Sequence, residues 1–571
     1  MAAKCQGALL ALLLFSAARS ATIAVTPDGG RVVTVNPDSN SVSIVDTLTR
    51  TKIAEVKVCA EPQTLSIDGQ RLFVVCRDGM LNEVDLGALR VTRTLNVGYD
   101  PFGVVASNGR VYVSGDNRVL VLDETSLATI KSIATEEFPR GLAIDAGKLY
   151  VTHFRSGKVT IIDGDAVKVV STGFDTNVSQ SVVAASGRAW LPQTRSNVGN
   201  TALLFDSTLF PIVSAIDLAT GEHLPKQRIA IDIADRPVNT PIDIALSLNL
   251  AFVVNAGSDD VSVINLDTRL AVAHLSVGRN PRGIAMSPDE RWAWVNNTLS
   301  GTVSVIDVLE KRVVDTIAVT AIPLDPSILN GKILFNTSNS TALAKDRWIS
   351  CASCHFDGGT DGRTWFFRDG PRNTTSLFGV GDTLPMHWSG DLDELQDVES
   401  TIRVIQAGTG LAPGPSNCDT ACDQEPPNAG RSKDLDDLAT FLRALRAATR
   451  APVTSPAAER GRSLFFDSRT QCAICHPAPL FTDLKKHDVG TGTATSAVER
   501  KGRVFNTPSL RRLIDTAPYM HDGTQLTLLD VVRNATGLHG DASMLTAEEK
   551  NDLAEYLKTI DFVAPRRRAV R

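Results

Sequence analysis

"VNPDSNSVSIVD" fills residues 35–46, and the chain returns to it at 254–265 as "VNAGSDDVSVIN" and at 295–307 as "VNNTLSGTVSVID". Each copy sets two apolar runs around a polar turn, the pattern of an antiparallel hairpin. Working outward, short apolar strands begin near Ile23, Leu65, Val104, Leu142, Val182, Ile244 and Ile284, at intervals of 42, 39, 38, 40, 62 and 40 residues. Each is followed by a Gly-containing turn and a second strand such as "RVVTV", "RLFVV", "RVYVS" or "KLYVT". A period near 40 with about four strands per unit marks propeller blades, and seven starts predict seven blades.

These units resemble the YVTN family of bacterial β-propeller repeats, with "VVTV" and "FVVN" where that family shows its name. The propeller is assigned to 21–326. The long fifth interval is an insertion at about 195–235, either a contact to a ligand or to the rest of the chain, or an elaborated loop. His153, His223 and His274, and Trp190, Trp292 and Trp294, sit in strand and turn patterns. They read as ordinary structural residues rather than ligands of a propeller-bound haem or platforms for a quinone cofactor.

Chemistry is concentrated further on, in "CASCH" (Cys351 to His355) and "CAICH" (Cys472 to His476). In each, Cys351 and Cys354 or Cys472 and Cys475 can form thioethers to one haem, while His355 or His476 reaches the iron from the proximal side. Disulfides or half a zinc site would not explain a His directly after both pairs. Two covalently bound haem c groups are expected.

The surroundings of the two motifs repeat. "GKILF" (331–335) and "DLDDLATFLRAL" (434–445) bracket the first, and "GRSLFFD" (461–467) and "EEKNDLAEYLKTI" (548–560) bracket the second. Apolar residues three and four apart predict amphipathic helices, the last opened by a Thr546/Glu549 capping box. The expected architecture is multidomain: an all-β seven-bladed propeller followed by an all-α tandem c-type cytochrome. Its haem domains span 327–447 and 456–563, and a basic tail occupies 564–571.

With "GPRNTTSL" (370–377), "HWSGDLDELQD" (387–397), "PLFTD" (479–483) and "FNTPSLRRLIDTAPYMHDG" (505–523), the region 327–562 resembles the dihaem cytochrome c peroxidase superfamily, which includes MauG-type enzymes. The resemblance implies proximal ligation by His355 and His476, and electron relay between haems by Trp388. It also implies a calcium site at Asn373 with the backbone of Thr516 and Pro518, hard oxygen donors suited to that cation. His521 matches an inter-domain His, and His487 a position that supports the fold.

Three family positions depart. Trp365 stands at the removable distal His, Ala535 at the second iron's Met or Tyr, and Gly408 at the catalytic Glu. Gln406 is the nearest polar side chain to the last, and an amide cannot shuttle a proton as Glu does. Asp393 and Glu399 are alternative acid–base candidates. His539 or Met544 could ligate the second iron, with His539 preferred. His387 is the nearby His for the first, which is otherwise open.

Lys4, the apolar run "ALLALLLFSAA" and Ala18-Arg19-Ser20 read as a secretory signal peptide over 1–20. That run is short for a span, and no later segment is long enough, so an exported, periplasmic protein is expected. Cys59 with Cys76, and Cys418 with Cys422, are candidate disulfides of an oxidising compartment. The formal charge of −6 and the absence of a basic stripe outside Arg566, Arg567, Arg568 and Arg571 exclude nucleic acid as a partner.

The functional expectation is a dihaem oxidoreductase, peroxidase-like or MauG-like. It would react with an oxidant such as hydrogen peroxide and be served by a small cytochrome c or cupredoxin, with a substrate or protein on the propeller. The alternative is a non-enzymatic electron relay for a propeller-bound partner, and a weaker third reading puts the catalytic site in the propeller.

Overall fold

In the computed structural model, residues 18–367, 370–415, 426–446, 455–491 and 504–561 are described. The hydrophobic segment before residue 18, Cys418 with Cys422, and the basic tail lie outside them. Seven sheets built from consecutive strands form the propeller, six of four strands and the fifth of five. The first strands of the blades are Ile23–Val25, Pro62–Asp68, Val104–Ser107, Pro139–Asp145, Val183–Ala185, Pro241–Ser247 and Pro281–Met286, where the repeat starts predicted them.

The repeated residues explain themselves in three dimensions. Asn36 donates to Ser41 Oγ at 3.0 Å and Ser43 Oγ at 2.9 Å. Asn255 donates to Asp260 Oδ1 at 2.7 Å and Ser262 Oγ at 3.2 Å, and Asn297 to Thr302 Oγ1 at 3.1 Å and Ser304 Oγ at 2.9 Å. One buried amide thus ties two strands in each of these blades, satisfying polar groups that the blade stack removes from water. The Asp or Asn ending the third strand caps the next turn: Asp46 accepts from Thr49 N, Asp85 from Ala88 N and Asn265 from Thr268 N. Closure joins the last blade to the first, with Trp294 packed among Ile23, Val32 and Val45, and Asn296 donating to Val35 O at 3.1 Å. Cys59 and Cys76 form the expected disulfide.

The chain enters through the central channel. Ser20 N donates to Leu142 O at 2.9 Å, Ile144 N to Ala18 O at 2.8 Å and Leu65 N to Ala21 O at 2.8 Å, so residues 18–21 cross from the fourth blade to the second. Arg19 ion-pairs with Asp243 of the sixth blade, which is 3% exposed, and also donates to Ser181 Oγ at 3.2 Å and to Ile284 O. Arg19 and Ser20, just ahead of the expected propeller start at residue 21, thus pack within the propeller, Arg19 as the cation of the buried Asp243.

Behind the propeller two helix pairs share one design. Helix Pro326–Asn336 crosses Lys433–Ala444, and Pro456–Phe465 crosses Ala547–Leu557. Each crossing is made at a glycine: a β-carbon on Gly331 would collide with Asp437 O, and one on Gly461 with Asp552 O. The residue before each glycine then reaches the same aspartate, Asn330 to Asp437 at 2.8 Å and Arg460 to Asp552 at 2.6 and 2.7 Å. Separate cores form around Phe335, Leu395 and Leu438 in the first unit and around Phe465, Leu528 and Leu553 in the second. The capping box at Thr546 and Glu549 is present.

The expected all-α character is amended by three two-stranded ribbons. They are Thr364–Phe367 with Gly370–Asn373, Lys486–Asp488 with Val504–Asn506, and Thr536–Gly537 with Gly540–Asp541. Connections packed under the helices pair their backbone groups this way. No helix among the described residues is long and apolar enough to cross a membrane.

Removing one partner of a buried ion pair strands the other charge, at a cost of about 3–5 kcal/mol. Arg19→Ala is therefore expected to lower propeller stability by that order, read as a fall in the denaturant midpoint of its unfolding transition. Asp243→Asn in the same background should recover part of the loss.

Candidate functional site

Both Cys-x-x-Cys-His motifs form single helical turns, Cys351–Cys354 and Cys472–Cys475, and open on one cavity of about 1250 Å3. That exceeds the ~300–1,000 Å3 typical of a single-ligand pocket. All four cysteines are free thiols, each held protonated by burial, which raises its pKa. No disulfide joins either pair, unlike Cys59 and Cys76.

The two histidines are prepared alike. His355 Nδ1 donates to Thr375 O at 2.9 Å and His476 Nδ1 to Phe481 O at 3.0 Å. A proton on Nδ1 leaves the Nε2 lone pair for a metal. Burial pushes both pKa values down to about 4, so both imidazoles are neutral. The turns after them also match, with Asp361 N bonded to Cys354 O and Asp483 N to Cys475 O, each at 2.9 Å. Asp483 is tied to His487 at 2.8 Å, giving that residue the supporting place expected.

Between the motifs stands Trp388. Its Nε1 donates to Asn373 O at 2.8 Å, its carbonyl accepts from Asn506 N at 2.7 Å, and its ring meets His521 edge-on at 6.4 Å. His521 in turn stacks on Phe505 at 3.9 Å. One aromatic thus touches both units and lines the cavity. Asn373 donates to Pro518 O, and Asn373 Oδ1 is buried without a hydrogen-bond partner among the described residues. Oxygens of the kind expected for a cation are gathered at Asn373 and Pro518, but no described contact brings Thr516 to them.

His539 faces His476 with ring centroids 6.4 Å apart. Two imidazoles sharing one metal at bonds of about 2 Å each would stand at close to this separation. Met544 is 83% exposed, which removes it as a competitor. Ala535 sits in the second unit's core and lines the cavity, leaving the space His539 uses.

The first motif is different. His387 has a left-handed backbone (φ 65°), and its side chain is 44% exposed and bonded to Asp391 at 3.0 Å. The ring lines the cavity on the side of the first motif, tied through Nδ1 to the partly buried Asp391. Trp365 is buried, donates from Nε1 to Asp361 Oδ2 at 3.0 Å, and packs with Leu209, Trp348 and Ile349. Gly408 cannot regain a glutamate, because a β-carbon there would collide with Ala342 O. Glu399 is fully buried, paired with Arg403 and accepting from Leu411 N and Ala412 N. Asp393 is exposed. Gln406 lies beside Cys351, 3.7 Å from its sulfur, 4% exposed, with Oε1 unpartnered. It is one of the polar side chains lining the cavity near the first motif.

Two contributions came from far along the chain. The long hairpin of the fifth blade, Arg188–Ser196 with Leu209–Asp217, brings Thr201 and Leu203 to the cavity wall, and Phe366 N bonds Val198 O at 2.9 Å. Of the two readings of the insertion, the contact holds. Secondly, four blades converge on the segment 348–357. Asn239 Nδ2 donates to Trp348 O at 2.8 Å and Ser353 Oγ at 2.9 Å, and Ser350 Oγ donates to Asn239 Oδ1 at 3.2 Å. Asp357 is paired with Arg282 at 2.7 Å and Arg77 at 3.4 Å. Enclosure alone would raise its pKa, but the two guanidiniums prevail and hold it at about 2. A signal existed for Arg282: "PRG" recurs at 139–141 and 281–283, placing Arg140 and Arg282 at one register of the inner strands.

Fold and site together define a haem-based redox protein carried on a seven-bladed propeller. A family model described as the cytochrome D1 heme domain matches residues 29–142, within the propeller where the repeats suggested YVTN units. The chain is homologous to hydrazine synthase subunit gamma of Kuenenia stuttgartiensis, 28% identical over 281 residues, 39% of this chain and 75% of that one. It is likewise similar to the methylamine utilization protein MauG of Methylorubrum extorquens, 29% identical over 289 residues, 42% of this chain and 79% of the other. A solved structure of Kuenenia stuttgartiensis hydrazine synthase superposes with a TM-score of 0.45 at 19% identity, over 50% of this chain and 94% of that chain.

Of the propeller histidines, His153 and His274 are engaged within the propeller, while His223 Nε2 is buried without a hydrogen-bond partner among the described residues. His274 pairs with Asp235 at 2.7 Å. His153 is fully buried between Glu137 O at 3.0 Å and Thr160 Oγ1 at 2.8 Å, and burial pushes its pKa down to about 4. An unfolded imidazole protonates near pH ~6.5, so between these values the unfolded chain holds the extra proton and stability falls as pH falls. His153→Gln should lose less propeller stability than the parent when denaturant midpoints at pH 7 and pH 5 are compared.

Proposed function

We propose that the protein is an exported, periplasmic dihaem c-type oxidoreductase in which the two haem sites have divided roles. The observation that carries this is one cavity, lined by both Cys-x-x-Cys-His motifs and bridged by Trp388. Haem bound there supplies an iron centre that exchanges single electrons. Cys351 and Cys354 would hold one haem and Cys472 and Cys475 the other, with His355 and His476 as proximal ligands presented through Nε2.

His539 closes the second site. A pair of imidazoles saturates an iron and gives a lower potential than His with Met, so this site is an electron-transfer centre. The first site has no counterpart to His539 facing His355 among the described ring contacts, and its wall mixes apolar side chains with polar ones, Gln406, Thr401 and His387 among them. Trp388 lies on the line of contact between the units and serves as the relay. Asn373, with the carbonyl of Pro518, gives oxygen donors for a calcium ion that would pin the same junction. The likeness to MauG and to hydrazine synthase gamma supports redox chemistry at such a site. Electrons would come from a small cytochrome c or cupredoxin.

Residues 18–21 running among the inner strands, and the hydrogen bonds of His153 and His274, argue against a propeller-bound haem, although the D1 model matches the repeats. Gln406 and the packed Gly408 favour slow peroxide cleavage. They are the one feature that supports the second reading, an electron relay without its own substrate.

Two measurements test this. Stopped-flow mixing of the half-reduced, haem-loaded protein with hydrogen peroxide should shift the Soret band with loss of a high-spin feature. No change at millimolar peroxide with purely low-spin spectra would leave the relay. His539→Ala should convert one of the two haems from low to high spin in magnetic circular dichroism while both haems stay covalently attached.

A further inference from the structure

The first haem motif is built against the propeller, and the second is not. Asn239, 4% exposed on the stretch leading into the sixth blade, accepts from Ser350 and donates to Ser353, so it grips the turn Cys351–Cys354 from below. Gly257 makes room for it, since a β-carbon there would overlap Asn239 Oδ1. Two residues after His355, Asp357 enters the channel mouth and is held by Arg77 of the second blade and Arg282 of the seventh. The intervening Phe356 is sandwiched by Phe154 of the fourth blade at 5.1 Å and the Arg282 guanidinium at 4.7 Å. The turn Cys472–His476 shows no hydrogen bond or ring contact to the propeller among the described residues. Its neighbours are Thr470, Phe481 and His539.

We propose that Asn239, Arg77 and Arg282 are positioning residues for the first haem site, making the propeller's channel mouth the proximal half of that site. This rests on the haem reading given above. The residues act through Asp357 and the Cys351–Cys354 turn, and they do not touch the cavity. Their grip fixes where His355 stands. Their charge sets the field at the first iron, since charge around a proximal ligand tunes a metal centre.

The charges give the proposal a sign. Losing Arg282 leaves Asp357 under-compensated, and extra negative charge favours the oxidised iron. Losing Asp357 leaves two guanidiniums in excess, which favours the reduced iron. The experiment uses the full-length, haem-loaded protein and compares Arg282→Gln, Asp357→Asn and Arg282→Lys by spectroelectrochemistry, with the haem count taken from intact mass. The expected result is a lowered midpoint potential for the first haem in Arg282→Gln and a raised one in Asp357→Asn. Arg282→Lys should stay near the parent, and the second haem should not move in any variant.

Equal potentials in all four proteins would overturn the proposal. So would shifts of the same sign in both charge variants, or shifts shared by both haems, which would report general loosening. Asn239→Ser adds a variant of unchanged charge, expected to alter the first haem's axial-ligand spectrum alone; an unchanged spectrum would count against the grip. An unmodified parent mass, with no haem attached, would refute the haem reading itself and is distinguishable from all of these.

Discussion

One carboxylate shared by two blades holds the halves of this protein in register. Asp357 reaches Arg282 and Arg77, which stand at opposite ends of the repeat series, in the seventh blade and the second. A buried ion pair of this kind adds little net stability, because desolvation offsets most of the attraction. What it enforces is geometry: any other docking of the second half would part Asp357 from Arg282 and Arg77, leaving Arg77 with Glu61 alone. Lys332 with Asp38, and Arg363 with the carbonyls of Phe174 and Thr176, extend the same seam.

The second half shows how a duplicated unit can diverge without losing its frame. Gly331 and Gly461 bring their helices equally close to a partner, and Asp437 and Asp552 receive the neighbouring side chain in the same way. The frame is backbone against backbone, so it tolerates almost any change in the cavity it encloses. One cavity wall carries an imidazole at His539, and at the other Gly408 is packed against Ala342 O.

Much of this was legible in the residue order. Blade starts were readable because Asn, Gly and Asp recur wherever a strand must be tied or turned, and those requirements are local. The gathering of both Cys-x-x-Cys-His motifs and His539 on one cavity rests on local order, since one turn of helix holds each motif and a short ribbon carries His539. The place of His387 beside the first motif could be read from the sequence, whereas its left-handed backbone and its bond to Asp391 could not. Asn239 and Arg77 were invisible, since their partners lie more than a hundred residues away and no local pattern marks them. The contacts of Arg19 were likewise invisible, since Ser181, Asp243 and Ile284 lie more than a hundred and fifty residues further on.

The fifth-blade hairpin has a bearing on what can reach the first motif. Thr201 and Leu203, at its tip, form part of the cavity wall. A hairpin tip is the part of a sheet that changes length most freely, since residues added there disturb neither the core nor the ladder below. The aperture of the chamber is therefore written in a segment under almost no folding constraint. Selection for molecular size can act on it while the metal-binding architecture stays as it is.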